Sequence, residues 1–284
     1  MSADWPAPET FLSGRVGHVG RRRAPLLRAA DAILDGWSRL RGVPRRLDRL
    51  AEGVPPRRVL VLSAYRPDST RLESAVAELR AGRHHVRLAL GSTGEPLPEL
   101  AGATVASGLG GGKFQNLNAI LEAAGRQGED WTLVVDDDVL IPSRFVDRLL
   151  AVCERFELQL SQPALTLASH GAWDVARRRA RPLVRETRFV EIGPVTLISG
   201  AAAEELMPFP DLRFGWGLDL HWAALAAERG WRLGMVDALP VRHDLAGVAS
   251  AYPHDEAVAE ARAFLAGRDF LPAAEANATL RNLA

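Results

Sequence analysis

A chain of 284 residues with 35 basic and 35 acidic side chains, 47% of it hydrophobic, suits one generous α/β domain with an appendage and is too apolar to stay disordered. Cys153 is the only cysteine, which excludes an internal disulfide and a cysteine-based metal cluster. No apolar run approaches the roughly 20 residues that span a bilayer, and residues 1–10 carry Asp4 and Glu9 where a signal peptide has a basic start, so the expected compartment is the cytoplasm.

Charge is spread unevenly. Residues 1–58 hold twelve arginines against six acids, leaving 23 basic and 29 acidic residues to the remainder. Arginine without interleaved aromatic residues is a poor nucleic-acid signature, so no nucleic-acid partner is expected. Residues 1–23 read as irregular. From Leu26 the apolar positions Leu26, Leu27, Ala30, Ile33, Leu34, Trp37 and Leu40 fall on one side of a helix, with Arg28, Asp31, Asp35 and Arg39 opposite. The mixed charge of the polar side favours docking of this stripe on the body of the protein; a weak contact with a membrane surface is its other use. Gly42, Pro44 and Pro55-Pro56 divide this basic extension, residues 1–56, from a main domain over 57–270, with 271–284 as a C-terminal tail.

The main domain opens on Val59-Leu60-Val61-Leu62, a continuous apolar run that predicts a strand buried on both faces. A helix over 68–80 follows, capped by Asp68 or Ser69, then strands over 86–90 and 103–106. The glycine-rich loop 108–112 leads a helix over 114–124. Trp131 to Val135 is another buried strand, ending in Asp136-Asp137-Asp138. Pro142 opens a helix through Phe156, with Cys153 on its buried side. Strands are expected over 158–167, over 188–198 with a break at Gly193-Pro194, and over 231–236; helices are expected over 217–229 and 255–265. Strands alternating with helices predict a mostly parallel sheet covered on both faces, with ligands beyond the carboxyl ends of its strands. The Asp triplet follows such an end.

On an extended backbone Asp136 and Asp138 share a face and Asp137 points away. Adjacent carboxylates repel unless a cation offsets them, and oxygen ligation suits Mg²⁺ or Mn²⁺ shared with substrate phosphate. Lys113 is the only lysine in a chain that uses arginine everywhere else, and a compact ammonium differs from a guanidinium in shape and hydration. Its glycine-rich loop lacks the Ser or Thr that a P-loop places after the lysine, and it does not follow the first strand as a dinucleotide fingerprint must. Backbone amides with one ammonium at a helix start still make an anion site. Asp219 opens a helix between Trp216 and Trp222, where it can complement the helix dipole or act as a general base. His243 follows the last core strand and is a metal-ligand candidate. His84, His85, His170, His221 and His254 read as surface or packing residues, and 177–181 as a solvated arginine loop.

The order of these features resembles the family 2 glycosyltransferases of the GT-A fold: a first strand ending at Ala64-Tyr65-Arg66, Gly-Lys-Phe-Gln-Asn-Leu-Asn at 112–118, then Val-Val-Asp-Asp-Asp-Val-Leu-Ile-Pro at 134–142. The C-terminal half, through Ser161-Gln162-Pro163-Ala164-Leu165, Phe189-Val190-Glu191, Gly215-Trp216-Gly217-Leu218-Asp219 and Val241-Arg242-His243, is similar to a GT-A-like family best known in plants. The resemblance implies a GT-A-type α/β fold and a metal-dependent glycosyltransferase using a nucleotide-sugar donor, UDP- or GDP-linked, and an unknown acceptor hydroxyl. It places Ala64, Tyr65, Arg66, Lys113, Asn116, Asp136, Asp137 and Trp216 around the nucleotide sugar, and Asp138, His243 and Asp136 on Mn²⁺ or Mg²⁺. Asp219 becomes the base of an inverting displacement. Two positions depart from the family: Leu218 stands where it has an acid, and Gly91-Ser92-Thr93-Gly94-Glu95 lacks its aspartate to the base, so the nucleotide stays open. A sugar nucleotidyltransferase and a non-catalytic nucleotide- or sugar-binding relative are the other readings.

Overall fold

The computed structural model describes residues 19–20, 22–68, 71–245 and 253–284. Helices α1 (Ala24–Leu40) and α2 (Val43–Glu52) precede β1 (Arg58–Tyr65), α3 (Leu72–Arg80), β2 (His85–Ser92) and β3 (Thr104–Ala106). Then come α4 (Lys113–Ala124), β4 (Trp131–Val135), β5 (Val139–Leu140), α5 (Phe145–Arg155) and β6 (Leu160–Leu165). The chain continues through β7 (Val184–Thr187), β8 (Val195–Ser199), α6 (Gly200–Leu206), α7 (Leu218–Arg229) and β9 (Leu233–His243), and closes on α8 (His254–Leu265), α9 (Ala273–Ala276) and β10 (Thr279–Leu283). Among the described residues no helix is long and apolar enough to cross a membrane.

One sheet runs in the order β10-β7-β9-β6-β8-β4-β1-β2-β3, with β5 paired to β9 off this path. The block β3-β2-β1-β4 is parallel, and β6 and β9 are parallel to each other. Only β7 and β8 run against the rest of the path. Val59 to Leu62 are fully buried, as a strand covered on both faces requires. Burying one such side chain contributes roughly 1.5–3 kcal/mol, so this strand is a firm centre for the fold.

The register fixes where chemistry can gather. Leu62 lies beside Val134, so β1 and β4 end at the same edge of the sheet, β1 two residues further on, beside the Asp triplet. Val195, at the start of reversed β8, lies opposite Val135, which brings 193–194 to that same edge. The short β5 pairs with the end of β9, Val139 opposite His243, and so carries Asp138 to the histidine.

Several expectations change. The stripe of α1 docks only along one margin: Leu27, Ala30 and Leu34 are half-buried, but Leu26, Ile33 and Leu40 are 74%, 72% and 87% exposed, whereas Asp31 is buried. Asp31 accepts hydrogen bonds from Leu167 N (2.9 Å) and Ala168 N (3.0 Å), and Arg178 pairs with both Asp31 and Asp35. Two buried amides and a buried guanidinium would each lose roughly 1–3 kcal/mol without partners, so the acidic side of the helix turns inward. Of the loop expected to be solvated, Arg177 and Arg178 are drawn in while 179–181 stay exposed: Arg177 donates to Leu167 O and Ser169 O, and Arg179 N donates to Asp237 (2.6 Å). The helix expected from 68 begins at Leu72, with Asp68 outside it, and Ser69 lies outside the described residues. The one after Pro142 begins at Phe145, because Arg144 adopts φ 54°. Of the strand expected over 188–198 only the end forms, as β8; 188–194 lie outside the sheet, with 191–194 walling the cleft, and β7 comes before the expected range. The tail expected over 271–284 ends in β10, an edge strand paired antiparallel with β7.

Candidate active site

A cleft of about 580 Å³ opens at the carboxyl edge of the sheet. All three triplet carboxylates line it, each with its own partner. Asp136 pairs with Lys113 (2.6 Å), whose ammonium also donates to Ile192 O (2.8 Å). Asp137 receives Arg66 N at 3.0 Å and Arg66 Nε at 3.2 Å. Asp138 faces His243 Nε2 at 3.1 Å. The expectation that Asp136 and Asp138 point together is corrected: β4 ends at Val135, and the two-residue alternation ends with it.

Burial raises the carboxyl of Asp137 despite the hydrogen bonds and charge of Arg66. Burial works against the charged forms of Asp138 and His243 too, yet their mutual hydrogen bond and attraction prevail, lowering the acid and raising the imidazole. The other ring nitrogen, Nδ1, lies 3.3 Å from His170 O, and His243 N donates to Ser169 Oγ (3.0 Å). With Nδ1 turned to the His170 carbonyl, Nε2 is the ring nitrogen that meets Asp138, and a cation bound there would take the place of the Nε2 proton.

Among the described residues no group of three or more His, Cys, Asp or Glu side chains is placed to hold an ion. Asp138 and His243 nevertheless fit a divalent cation that takes its other ligands from substrate oxygens, a common arrangement for phosphate-bound metals. Asp136, engaged by Lys113, does not belong to that pair.

Asp219 lies at the start of α7, after the left-handed turn at Gly217 (φ +84°), and lines the same cleft. Its carboxyl is pushed up to about 8 by burial and then by the charge of Glu191. Glu191 is itself raised to about 7 by burial, although Gln162 Nε2 (3.1 Å), Ala172 N (2.9 Å) and Trp173 N (3.1 Å) all donate to it. Two buried carboxyls raised to about 7 and about 8 can hold and release protons near physiological pH.

The other predicted residues divide. Ala64, Arg66 and Trp216 line the cleft, with the Trp216 ring 6.0 Å from that of His254. Tyr65 also lines the cleft, but the residue is 1% exposed and its hydroxyl bonds Thr104 Oγ1 (2.9 Å), so its ring packs inward. Asn116 holds the glycine loop, accepting from Gly111 N and donating to Gly111 O, each at 3.0 Å. A Cβ on Gly112 would meet Arg213 O at 1.6 Å, which is why glycine precedes the lysine.

Sequence reasoning missed four contributors. Glu191 and Gln162 are polar residues inside apolar strand runs, which is a signal of buried function. Glu260 accepts from Arg213 N, Phe214 N and Gly215 N and fixes the loop before Asp219. His170, read as a surface or packing residue, lines the cleft.

No protein-family profile matches the sequence, and no curated protein does. Solved structures do. GalNAc-T7, solved with UDP, GalNAc and Mn²⁺, aligns over 66% of this chain at 12% identity and a TM-score of 0.50; the chain spans 44% of that protein's length. S. aureus TarS 1–349, in complex with UDP-GlcNAc, aligns over 77% of this chain and 69% of its own at 12% identity and a TM-score of 0.50. The mannosyltransferase PcManGT from Pyrobaculum calidifontis, in complex with GDP-Man and Mn²⁺, covers 88% of each chain at 17% identity and a TM-score of 0.49. The fold of this chain is the GT-A fold of nucleotide-sugar glycosyltransferases.

Proposed function

We propose that this protein is a metal-dependent glycosyltransferase that moves a sugar from a nucleotide diphosphate donor to an acceptor hydroxyl. The observation that carries the reading is the placement of Asp138 against His243 beside Lys113, with Asp219 across the same cleft. Asp138 and His243 would hold Mn²⁺ or Mg²⁺, and the nitrogen donor weights the pair towards Mn²⁺. When bound, such an ion supplies positive charge for the leaving diphosphate.

The chain's own residues carry the other roles. The Lys113 ammonium, now held by Asp136, turns to the donor's phosphate oxygens, where a compact cation serves. Arg66 and Asp137 border the end that takes the base, and Trp216 offers an apolar wall to the sugar. Asp219 takes the proton of the acceptor hydroxyl as that oxygen bonds the anomeric carbon. The bond from that carbon to the diphosphate breaks, its electron pair leaves with the diphosphate, and the configuration inverts. UDP- and GDP-linked sugars are the donor classes to try, because the structural neighbours named above were solved with them.

The test is a thermal-shift screen of nucleoside diphosphates and nucleotide sugars with and without Mn²⁺. A ligand of the folded state raises the melting temperature. A Mn²⁺-dependent rise confined to one nucleotide, with release of that nucleoside diphosphate from its sugar, is expected. Pyrophosphate release would point to a nucleotidyltransferase, and binding without turnover to a non-catalytic relative.

A further inference from the structure

We propose that α1 is a docking surface for anionic phospholipid membranes. Leu26, Ile33, Trp37 and Leu40 recur at intervals of 7, 4 and 3, which places them on one face of a helix, and that face is outward: even Trp37 is 38% exposed. The helix is held by the opposite side. Asp31 and Asp35 pair with Arg178, and Arg28 with Asp244. An amphipathic helix docked by its polar side leaves its apolar side for another partner.

Charge names that partner. Arg22 and Arg23 stand exposed before the helix, Arg39 lies on its flank, and neighbouring α2 exposes Arg45, Arg46 and Arg49. Three of the four acids in residues 22–52, Asp31, Asp35 and Asp48, pair with arginines of the main domain. The outward charge is therefore strongly positive around an apolar strip, the composition of a helix lying in a lipid headgroup layer. Arg41 stacks over the Trp37 ring at 4.7 Å, pairing an interfacial aromatic with a cation. A second copy fits less well, because two-fold pairing of this face would set like-charged flanks together.

The surface adjoins the cleft. Arg28 and Arg71 both reach Asp244, next to His243, and Val19 N donates to His170 Nδ1 (3.2 Å). A membrane held by α1 would thus lie beside the site.

The experiment is co-sedimentation of the full chain with vesicles of phosphatidylcholine containing phosphatidylglycerol, and with phosphatidylcholine alone. Binding is expected to the anionic vesicles only, to weaken with added salt, and to fall at least about tenfold in the Ile33→Asp/Leu40→Asp variant, since the apolar term is lost. Circular dichroism identical to that of the parent shows that the variant is folded; Leu26→Gln, a milder change at the same face, is measured beside it. No anionic-dependent binding, or equal binding by the variants, overturns the proposal. So does a dimer in solution that the same substitutions dissociate, which would assign the face to a second copy.

Discussion

Asp219 and Glu191 lie in one buried acidic neighbourhood, where burial raises both carboxyls and the charge of Glu191 raises Asp219 further. If Asp219 is the base it must be ionised, so kcat is expected to rise with pH up to about 8 and level off above it. Asp219→Asn should lower kcat roughly 10²-fold or more and abolish that pH limb, while a nucleotide thermal shift persists. Normal turnover by the variant would exclude the base. Stability supplies a separate check. A carboxyl at about 8 in the fold against an ordinary 3.8 contributes stability that is full below about 4 and lost as pH rises through about 8. Asn mimics the neutral form, so the variant should melt above the parent near pH 9 by roughly 5 °C, and this gain should vanish near pH 4. At this scale the sequence was readable where backbone context sufficed: Lys113, Asp138 and His243 come together as their strand-end and helix-start positions imply. The second partner of Lys113, Ile192 O, was not readable, because the chain leading into β8 reaches that edge only through antiparallel pairing with β4.

At the scale of elements, polar partners decide orientation where apolar periodicity leaves two choices. The 3.6-residue pattern of α1 identifies a helix but not which side meets the body; Arg178 and the amides of Leu167 and Ala168 settle that. Similar logic joins β7 to β9. Arg185 and Asp237 form a buried pair at 2.8 Å, and Arg185 also donates to Arg177 O (2.8 Å). Burial raises the Asp237 carboxyl, yet the guanidinium beside it has no solvent alternative. Asp237→Ala is therefore expected to cost about 3–5 kcal/mol in urea unfolding, by leaving a buried cation uncompensated. A loss under about 1 kcal/mol would mean that the pair contributes little beyond its replacement by water. The strand limits around this pair were not readable from sequence, since Phe189 and Val190 are as apolar as a strand yet pack in the core outside the sheet, and 191–194 then wall the cleft.

Over the whole molecule, the last residues complete the sheet instead of trailing from it. β10 pairs with β7 from Val184 to Thr187, Leu183 N donates to Leu283 O (3.0 Å), and Arg281 reaches Glu186 (2.6 Å). Sequence pattern alone gave little sign of this: 279–283 is a short run whose side chains are mostly exposed, and only the open edge of β7 makes it a strand. That edge matters because β7 holds β9, and β9 carries His243. Deleting residues 279–284 would strip the ladder from β7 and leave its amides and carbonyls open to other chains. With each lost hydrogen bond worth about 0.5–1.5 kcal/mol and each kcal/mol worth about 2–4 °C in a protein of this size, melting should fall by several degrees. The truncated protein should also associate as concentration rises, which light scattering would detect. A truncated chain that melts with the parent and stays monodisperse would show that the β7 edge is secure without β10, and that the sheet is held from its parallel block outward.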